Sequence, residues 1–183
     1  HRDLHSFPTR RSSDLIDNND STKLIINSDS NYSSNTKYYV EIANNIIYDT
    51  AETLNYFPGL LKGDYVFTIV DYDNPHILNK NPIHDSINID KDINIIITFN
   101  ENIQIANANG IKLFKSDNTE VTTITSTIIN NNLIINPDPT QNTSLDSNIL
   151  YYVTISVDAI SDFKNNLFVG INITEYSFTI IDY

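Results

Sequence analysis

The sequence predicts an all-β protein, a two-sheet β-sandwich preceded by a partial copy of the same domain. Three observations lead there. At positions 151–158, Tyr151, Val153, Ile155 and Val157 alternate strictly with Tyr152, Thr154, Ser156 and Asp158, the period-two pattern of a strand with one face buried. Short apolar runs of this kind recur between Asn-, Asp-, Gly- and Pro-bearing turns, and no longer stretch keeps a helical period. The third observation is that the chain repeats itself.

Tyr38, Val40, Ile42 and Asp49 precede Tyr151, Val153, Ile155 and Asp162 by a constant 113 positions. LIIN at 24–27 returns at 133–136, and YVFTIVDY at 65–72 returns as YSFTIIDY at 176–183. Three matches in one order make a tandem repeat of roughly 110 residues. The stretch 74–133 has no counterpart ahead of the first copy, so the expected organisation is a leader at 1–15, the C-terminal half of a repeat at 16–73 and a complete domain at 74–183. The leader, HRDLHSFPTRRSSDL, holds all three arginines of the chain, Arg2, Arg10 and Arg11. It closely resembles a translated sequencing-adapter artefact and carries no expectation about the fold.

Composition narrows the function classes. The net charge is −12, and nucleic-acid backbones demand a basic footprint, so nucleic acid is excluded as the expected partner. The acidic groups are scattered, as on a solvated surface. There is no cysteine, hence no disulfide and no thiolate chemistry. No apolar run is long enough to cross a membrane as a helix. Asparagine (27) and isoleucine (30) are both in excess, a bias that AT-rich coding would produce.

In chain order, 24–26 is a short strand, 27–35 a polar loop and 36–43 a strand. The connection 44–63 carries Ile46, Ile47, Leu54, Phe57 and Leu60, enough apolar surface to cap the end of a sandwich. Tyr65, Phe67 and Ile69 share a face of the closing strand, and 71–82, with two prolines, reads as a linker. In the second copy, 86–89 is an edge strand and Ile93, Ile95, Ile97 and Phe99 mark the central one. Residues 111–114 start a hairpin returning through 121–125, a strand follows at 128–135, and a proline-marked loop at 137–148 precedes the strands at 150–157 and 175–181. That makes about seven short strands, the count of a sandwich.

The run PIHDSINIDKDINIIITFNENI at 82–103, then GIKLF, NNLIINP, LYYVTISVDAISDFKNNL and YSFTI, resembles the bacterial Ig-like domain family named after the S-layer protein SbsA. Its marks here are Phe99-Asn100-Glu101 and the segment 160–167, where Asn165-Asn166 replaces the usual Gly-Asn. The resemblance spans 82–181 and, in its second half only, 24–69. It implies an Ig-like sandwich used as a stalk or spacer in a cell-surface or secreted protein, with neighbouring repeats as partners and no catalytic residues.

The residues themselves agree on chemistry. Outside the leader the histidines are His76 and His84, beside prolines and without an acid or hydroxyl at a spacing that a strand enforces. Four glycines make no phosphate loop. No cofactor is expected. Asp49, Asp71, Asp73 and Asp162 are the calcium candidates, set against the plain reading of solvated carboxylates, since calcium takes six to eight oxygens. Tyr38/Tyr39, Tyr151/Tyr152, Tyr65 and Tyr176, or the loop 137–148, offer the alternative function, an adhesion-type module binding a glycan or a protein. A concave, ordered aromatic cluster on one sheet would favour that alternative; tyrosines scattered singly would favour the spacer.

Overall fold

The computed structural model describes residues 5–6, 15–17, 20–28, 30–138 and 145–182. The chain divides into two compact units, His1–Tyr72 and Asp73–Tyr183.

Unit 1 holds β1 (His5–Ser6), β2 (Leu15–Asp17), β3 (Asp20–Ile25), β4 (Lys37–Ile42) and β5 (Leu60–Thr68). β2 and β3 form a two-stranded ribbon, and β1, β4 and β5 form a sheet in that order, antiparallel between β4 and β5. Of the leader, most lies outside the described residues; His5–Ser6 pairs in parallel with Tyr38 and Tyr39.

Unit 2 holds β6 (Ile77–Asn81), β7 (Ser86–Ile89), β8 (Ile95–Phe99), β9 (Ile103–Ile105), β10 (Ile111–Lys115), β11 (Thr125–Ile129), β12 (Asn132–Asn136), β13 (Leu150–Ile155), β14 (Ile160–Asp162) and β15 (Ser177–Ile180). One sheet runs β10-β13-β15-β7 and the other β11-β12-β8-β6, with β14 and β9 as a short extra ribbon. Alternation decides what lies between the sheets. Ile95, Ile97 and Phe99 of β8, Leu133 and Ile135 of β12, and Tyr151, Val153 and Ile155 of β13 are all buried, while Ile96, Thr98, Tyr152 and Thr154 between them are half-buried. Phe178 of β15 stacks on Tyr151 with centroids 6.0 Å apart, and Phe168 meets Phe99 edge-on at 5.1 Å. Such ring pairs add about 0.5 to 1.5 kcal/mol beyond burial alone.

Several sequence expectations give way. Residues 71–82 are not all linker, because Ile77–Asn81 is strand β6, hydrogen-bonded along β8. An edge strand is satisfied on one side only, so one half-buried Ile77 suffices and Pro82 falls just past its end. The single strand at 128–135 is two, because Asn130 adopts φ 57° and turns β11 back into β12. β10 pairs along its length with β13; the expected hairpin turn forms, with Lys115 N donating to Thr119 O at 2.9 Å and Val121 N to Leu113 O at 2.8 Å and a bridge between Phe114 and Glu120, but the return does not continue as a strand through 121–125. β13 ends at Ile155, and Val157, expected inside, is exposed beyond it. Ile93 precedes β8 and is half-buried at the edge of the core. In the 44–63 connection, Ile46 and Leu54 are exposed, and Ile47, Phe57 and Leu60 are half-buried.

The asparagine excess has a use. Among the described residues, all eight non-glycine residues with positive φ are Asn or Asp: Asn35, Asn45, Asp85, Asn88, Asn118, Asn130, Asn148 and Asn165. Asparagine reaches the left-handed region more cheaply than other side chains, so it makes turns here that a glycine-richer chain would give to glycine.

Ile97→Ala should cost about 2 to 5 kcal/mol, as deletion of a wholly buried side chain does. Ile96→Ala, on the half-buried face, should cost distinctly less. Chemical denaturation of the two variants checks the assignment of faces, and equal losses would reverse it.

Candidate functional site

Asp162, 2% exposed, is the most buried carboxylate among the described residues. It closes the turn after β14. Its Oδ1 accepts the backbone N–H of Lys164 and of Asn166, both at 2.8 Å, and its Oδ2 accepts from Asn166 Nδ2 at 2.9 Å. A carboxylate has about four lone-pair sites, and three are taken by the turn itself. Asp49 does the same in unit 1. Its Oδ1 accepts from Ala51 N at 3.3 Å and Asn55 N at 3.0 Å, and its Oδ2 from Asn55 Nδ2 at 2.7 Å. The Asn55 amide, then the Asn55 side chain, hold its pKa below the ordinary carboxylate value. Asp71 accepts from Ser34 Oγ at 2.8 Å, and Asp73 is exposed. Within neither unit taken alone do three His, Asp or Glu side chains bring ligand atoms together, among the described residues. The geometry thus gives Asp49 and Asp162 a turn-closing role.

The tyrosines divide by unit. Tyr151 and Tyr176 are at 0% exposure. The Tyr176 hydroxyl donates to Pro82 O at 2.8 Å, the Lys80 ammonium sits 5.1 Å from its ring centroid, and burial pushes its pKa well up. In unit 1 the alternation inverts. Tyr39, expected outside, is buried with Lys62 Nζ 5.0 Å from its ring, while Tyr38 is half-buried and Tyr65 is 56% exposed. Tyr32, Tyr38 and Phe67 meet at centroid distances of 5.0 to 5.8 Å, and Tyr65 lies 6.3 Å from Phe67. Tyr38, Tyr65 and Phe67 belong to β4 and β5, and Tyr32 meets them from the connection between β3 and β4. Of the loop at 137–148, residues 139–144 lie outside the described residues.

A constellation that sequence spacing did not reveal joins His84, Asp85 and Ser177, residues from β15 and the turn before β7. Parallel pairing of these two distant strands brings them together, and no local pattern announces it. Ser177 Oγ donates to Asp85 Oδ1 at 2.5 Å and lies 3.4 Å from His84 Nδ1, while Asp85 Oδ1 is 3.3 Å from that same nitrogen. A nucleophilic triad needs the hydroxyl and the carboxylate on opposite ring nitrogens, with the hydroxyl donating to the imidazole. Here both partners share Nδ1 and the hydroxyl proton goes to the carboxylate. Ser177, moreover, is only 4% exposed. The arrangement pins the β7 turn to β15 and has no nucleophile to offer.

Asn100 has a similar tying role. It accepts His76 N through Oδ1 at 2.7 Å and donates from its own backbone N to His76 O at 3.0 Å, stitching the start of β6 to the end of β8. The family profile described as "Bacterial Ig-like domain" matches residues 71–180. The chain belongs to the bacterial Ig-like domain family. No curated protein matches it. Such Ig-like domains are typically structural modules of bacterial surface proteins and are generally non-catalytic. No helix among the described residues is long and apolar enough to cross a membrane.

Asp162→Ala in the Ig-like domain should cost at least about 1.5 to 3 kcal/mol, the worth of a hydrogen bond to a charged group, because two turn amides lose their acceptor. Asp162→Asn keeps an oxygen for both amides and should cost less. Thermal denaturation ranks the two, and an equal ranking would remove the turn-closing role.

Proposed function

We propose that this chain is part of a tandem array of SbsA-type Ig-like repeats that acts as a spacer in a bacterial surface or secreted protein, without catalysis, and that residues 16–73 are the C-terminal half of one repeat and 74–183 a complete one. The observation that carries the reading is a shared geometry. Tyr38 and Phe67 stack at 5.8 Å and 22°, as Tyr151 and Phe178 do at 6.0 Å and 19°. Tyr65 and Phe67 tilt at 6.3 Å and 56°, as Tyr176 and Phe178 do at 6.4 Å and 55°. Ser33 N donates to the Tyr38 hydroxyl at 2.9 Å, and Asp146 N to the Tyr151 hydroxyl at 2.9 Å. Gly59 and Gly170 have φ of 92° and 91°, and a Cβ on either would lie within 2.5 Å of a backbone carbonyl, that of Ile42 or Ile155. Asp49 and Asp162 close their turns alike.

The spacer role has a mechanical basis in unit 2. β7, near its N-terminal end, pairs in parallel with β15 at its C-terminal end, through Asp85 N to Ser177 O at 2.8 Å and Ile181 N to Ile89 O at 2.9 Å. Tension applied at the two ends shears these bonds together instead of opening them one by one. The aromatic cluster of unit 1 is the one observation that favours the adhesion reading, with a glycan or a protein as partner, yet its counterparts Tyr151, Tyr176 and Phe178 are core residues.

Single-molecule pulling on a concatemer of residues 73–183 should give uniform all-or-none steps, each releasing about 360 to 400 Å of extended chain at roughly 3.3 to 3.6 Å per residue. Ile181→Pro, which removes one sheared donor, should lower the unfolding force. Stepwise peeling at low force, unaffected by Ile181→Pro, would argue against a load-bearing spacer.

A further inference from the structure

We infer that the hairpin at 45–57 in unit 1 carries a docking site for a basic segment of another protein, with Tyr48 and Tyr56 receiving the ammonium or guanidinium head of a lysine or arginine. The hairpin is held by Asn45 N donating to Phe57 O at 3.1 Å, Phe57 N to Ile47 O at 2.8 Å and Asp49 N to Asn55 O at 3.1 Å. Between those bonds Tyr48 and Tyr56 stand opposite each other, as the kind of antiparallel pair that exchanges no hydrogen bond and brings its side chains closest. Ile46 and Leu54 lie two positions along from them and share their face. All four are exposed: Ile46 by 48%, Tyr48 by 56%, Leu54 by 41% and Tyr56 by 52%. The half-buried face is the other one, with Ile47 and Phe57.

The turn itself does not require these rings. In unit 2 the same bonds, Phe168 N to Ile160 O and Asp162 N to Asn166 O, both at 3.0 Å, frame a pair made of Ser161 and Leu167. There Ser161 is 2% exposed, and its Oγ accepts from Gln104 Nε2 at 3.2 Å where β14 pairs with β9. Two tyrosines standing more than half exposed at this pair therefore go beyond what closing the hairpin needs. Exposed rings gathered on one face mark contact surfaces, and tyrosine is among the residues that carry binding energy there.

Charge and shape say what the rings take. From Tyr38 to Leu61 the chain has Glu41, Asp49 and Glu52 and no lysine, arginine or histidine. The hydrogen bonds from the Asn55 amide and side chain hold the Asp49 carboxyl below its ordinary pKa, so that charge persists at neutral pH. The two rings meet at 5.7 Å and 61°, a corner and not a flat platform. A compact cation in that corner lies within the roughly 6 Å of both centroids over which cation–π attraction acts, and its aliphatic stem can run along Ile46 or Leu54. The molecule already uses this chemistry twice, with Lys62 Nζ 5.0 Å from the Tyr39 ring centroid and Lys80 Nζ 5.1 Å from that of Tyr176. Anionic glycans and phosphates meet repulsion from the same carboxylates, and a neutral sugar makes no use of them.

Titration of the full chain with hexa-arginine and with hexalysine, followed by calorimetry and by the NMR ring signals of Tyr48 and Tyr56, tests the site. Both rings should shift together on titration, and binding should weaken as salt is raised. Tyr48→Leu combined with Tyr56→Leu should weaken hexa-arginine binding by roughly 5- to 30-fold, the worth of two exposed cation–π contacts. Tyr48→Phe combined with Tyr56→Phe keeps both rings and should bind within about twofold of the native chain. Unchanged amide signals of Asn55 and Phe57 show that the hairpin persists in each variant. If neither ring shifts in the native chain, the proposal is overturned whatever the variants do. Equal affinity of the native chain and the leucine variant would reduce binding to general attraction by an acidic protein and overturn it too. Shifts of both rings by hexasaccharides of glucose or N-acetylglucosamine, but not by hexa-arginine, would assign the corner to a glycan instead. A concentration-dependent dimer that shields both rings would assign it to a second copy, and either result also overturns the proposal.

Discussion

The constraint on which the rest depends is that a β-sheet with one apolar face must have that face covered. In unit 2 an Ile- and Leu-faced sheet, β8 and β12, covers an aromatic-faced one, β13 and β15, and every residue of the central pattern is sealed. Burying one large apolar side chain is worth about 1.5 to 3 kcal/mol, so a handful of such contacts rivals the roughly 5 to 15 kcal/mol that keeps a whole domain folded. The turns serve this end. Asp162 closes the loop that brings Phe168 back over Phe99, and Asn100 holds β6 at the margin of the covering sheet.

Where the core dictated the residue, the sequence was readable. The β8 and β13 alternations located the buried face without help from any relative, since inward and outward positions differ in what they bury. The parts that escaped reading are those in which burial is not the deciding term. β6 escaped because an edge strand needs pairing more than it needs apolar side chains. The β11–β12 turn escaped because an asparagine excess was put down to coding bias, when Asn130 is a left-handed turn residue. The end of β13 was set too late because Ser156 and Asp158 close a turn on each other at 2.5 Å, which alternation alone does not disclose.

The site residues follow the same division. Spacing placed Asp49 and Asp162 at equivalent positions, but only geometry showed their oxygens committed to turn amides. His84, Asp85 and Ser177 were invisible as a group because parallel pairing between β7 and β15 joins residues more than ninety positions apart. Tyr39 reversed the expected inside and outside of β4, a local departure in a unit whose sheet, among the described residues, has three strands where its counterpart has four.

That difference between two otherwise matching hairpins is the centre of the account, and amide hydrogen exchange on the monomeric full chain addresses it directly. Exchange from well-packed strands requires opening of the whole domain, while exchange from a poorly covered sheet needs only local opening. The account predicts slow exchange in Leu150–Ile155 and Ser177–Ile180, and exchange faster by orders of magnitude in Lys37–Ile42 and Leu60–Thr68. Equal protection in the two hairpins would contradict it, and would mean that unit 1 closes its core without the half-sheet its counterpart requires.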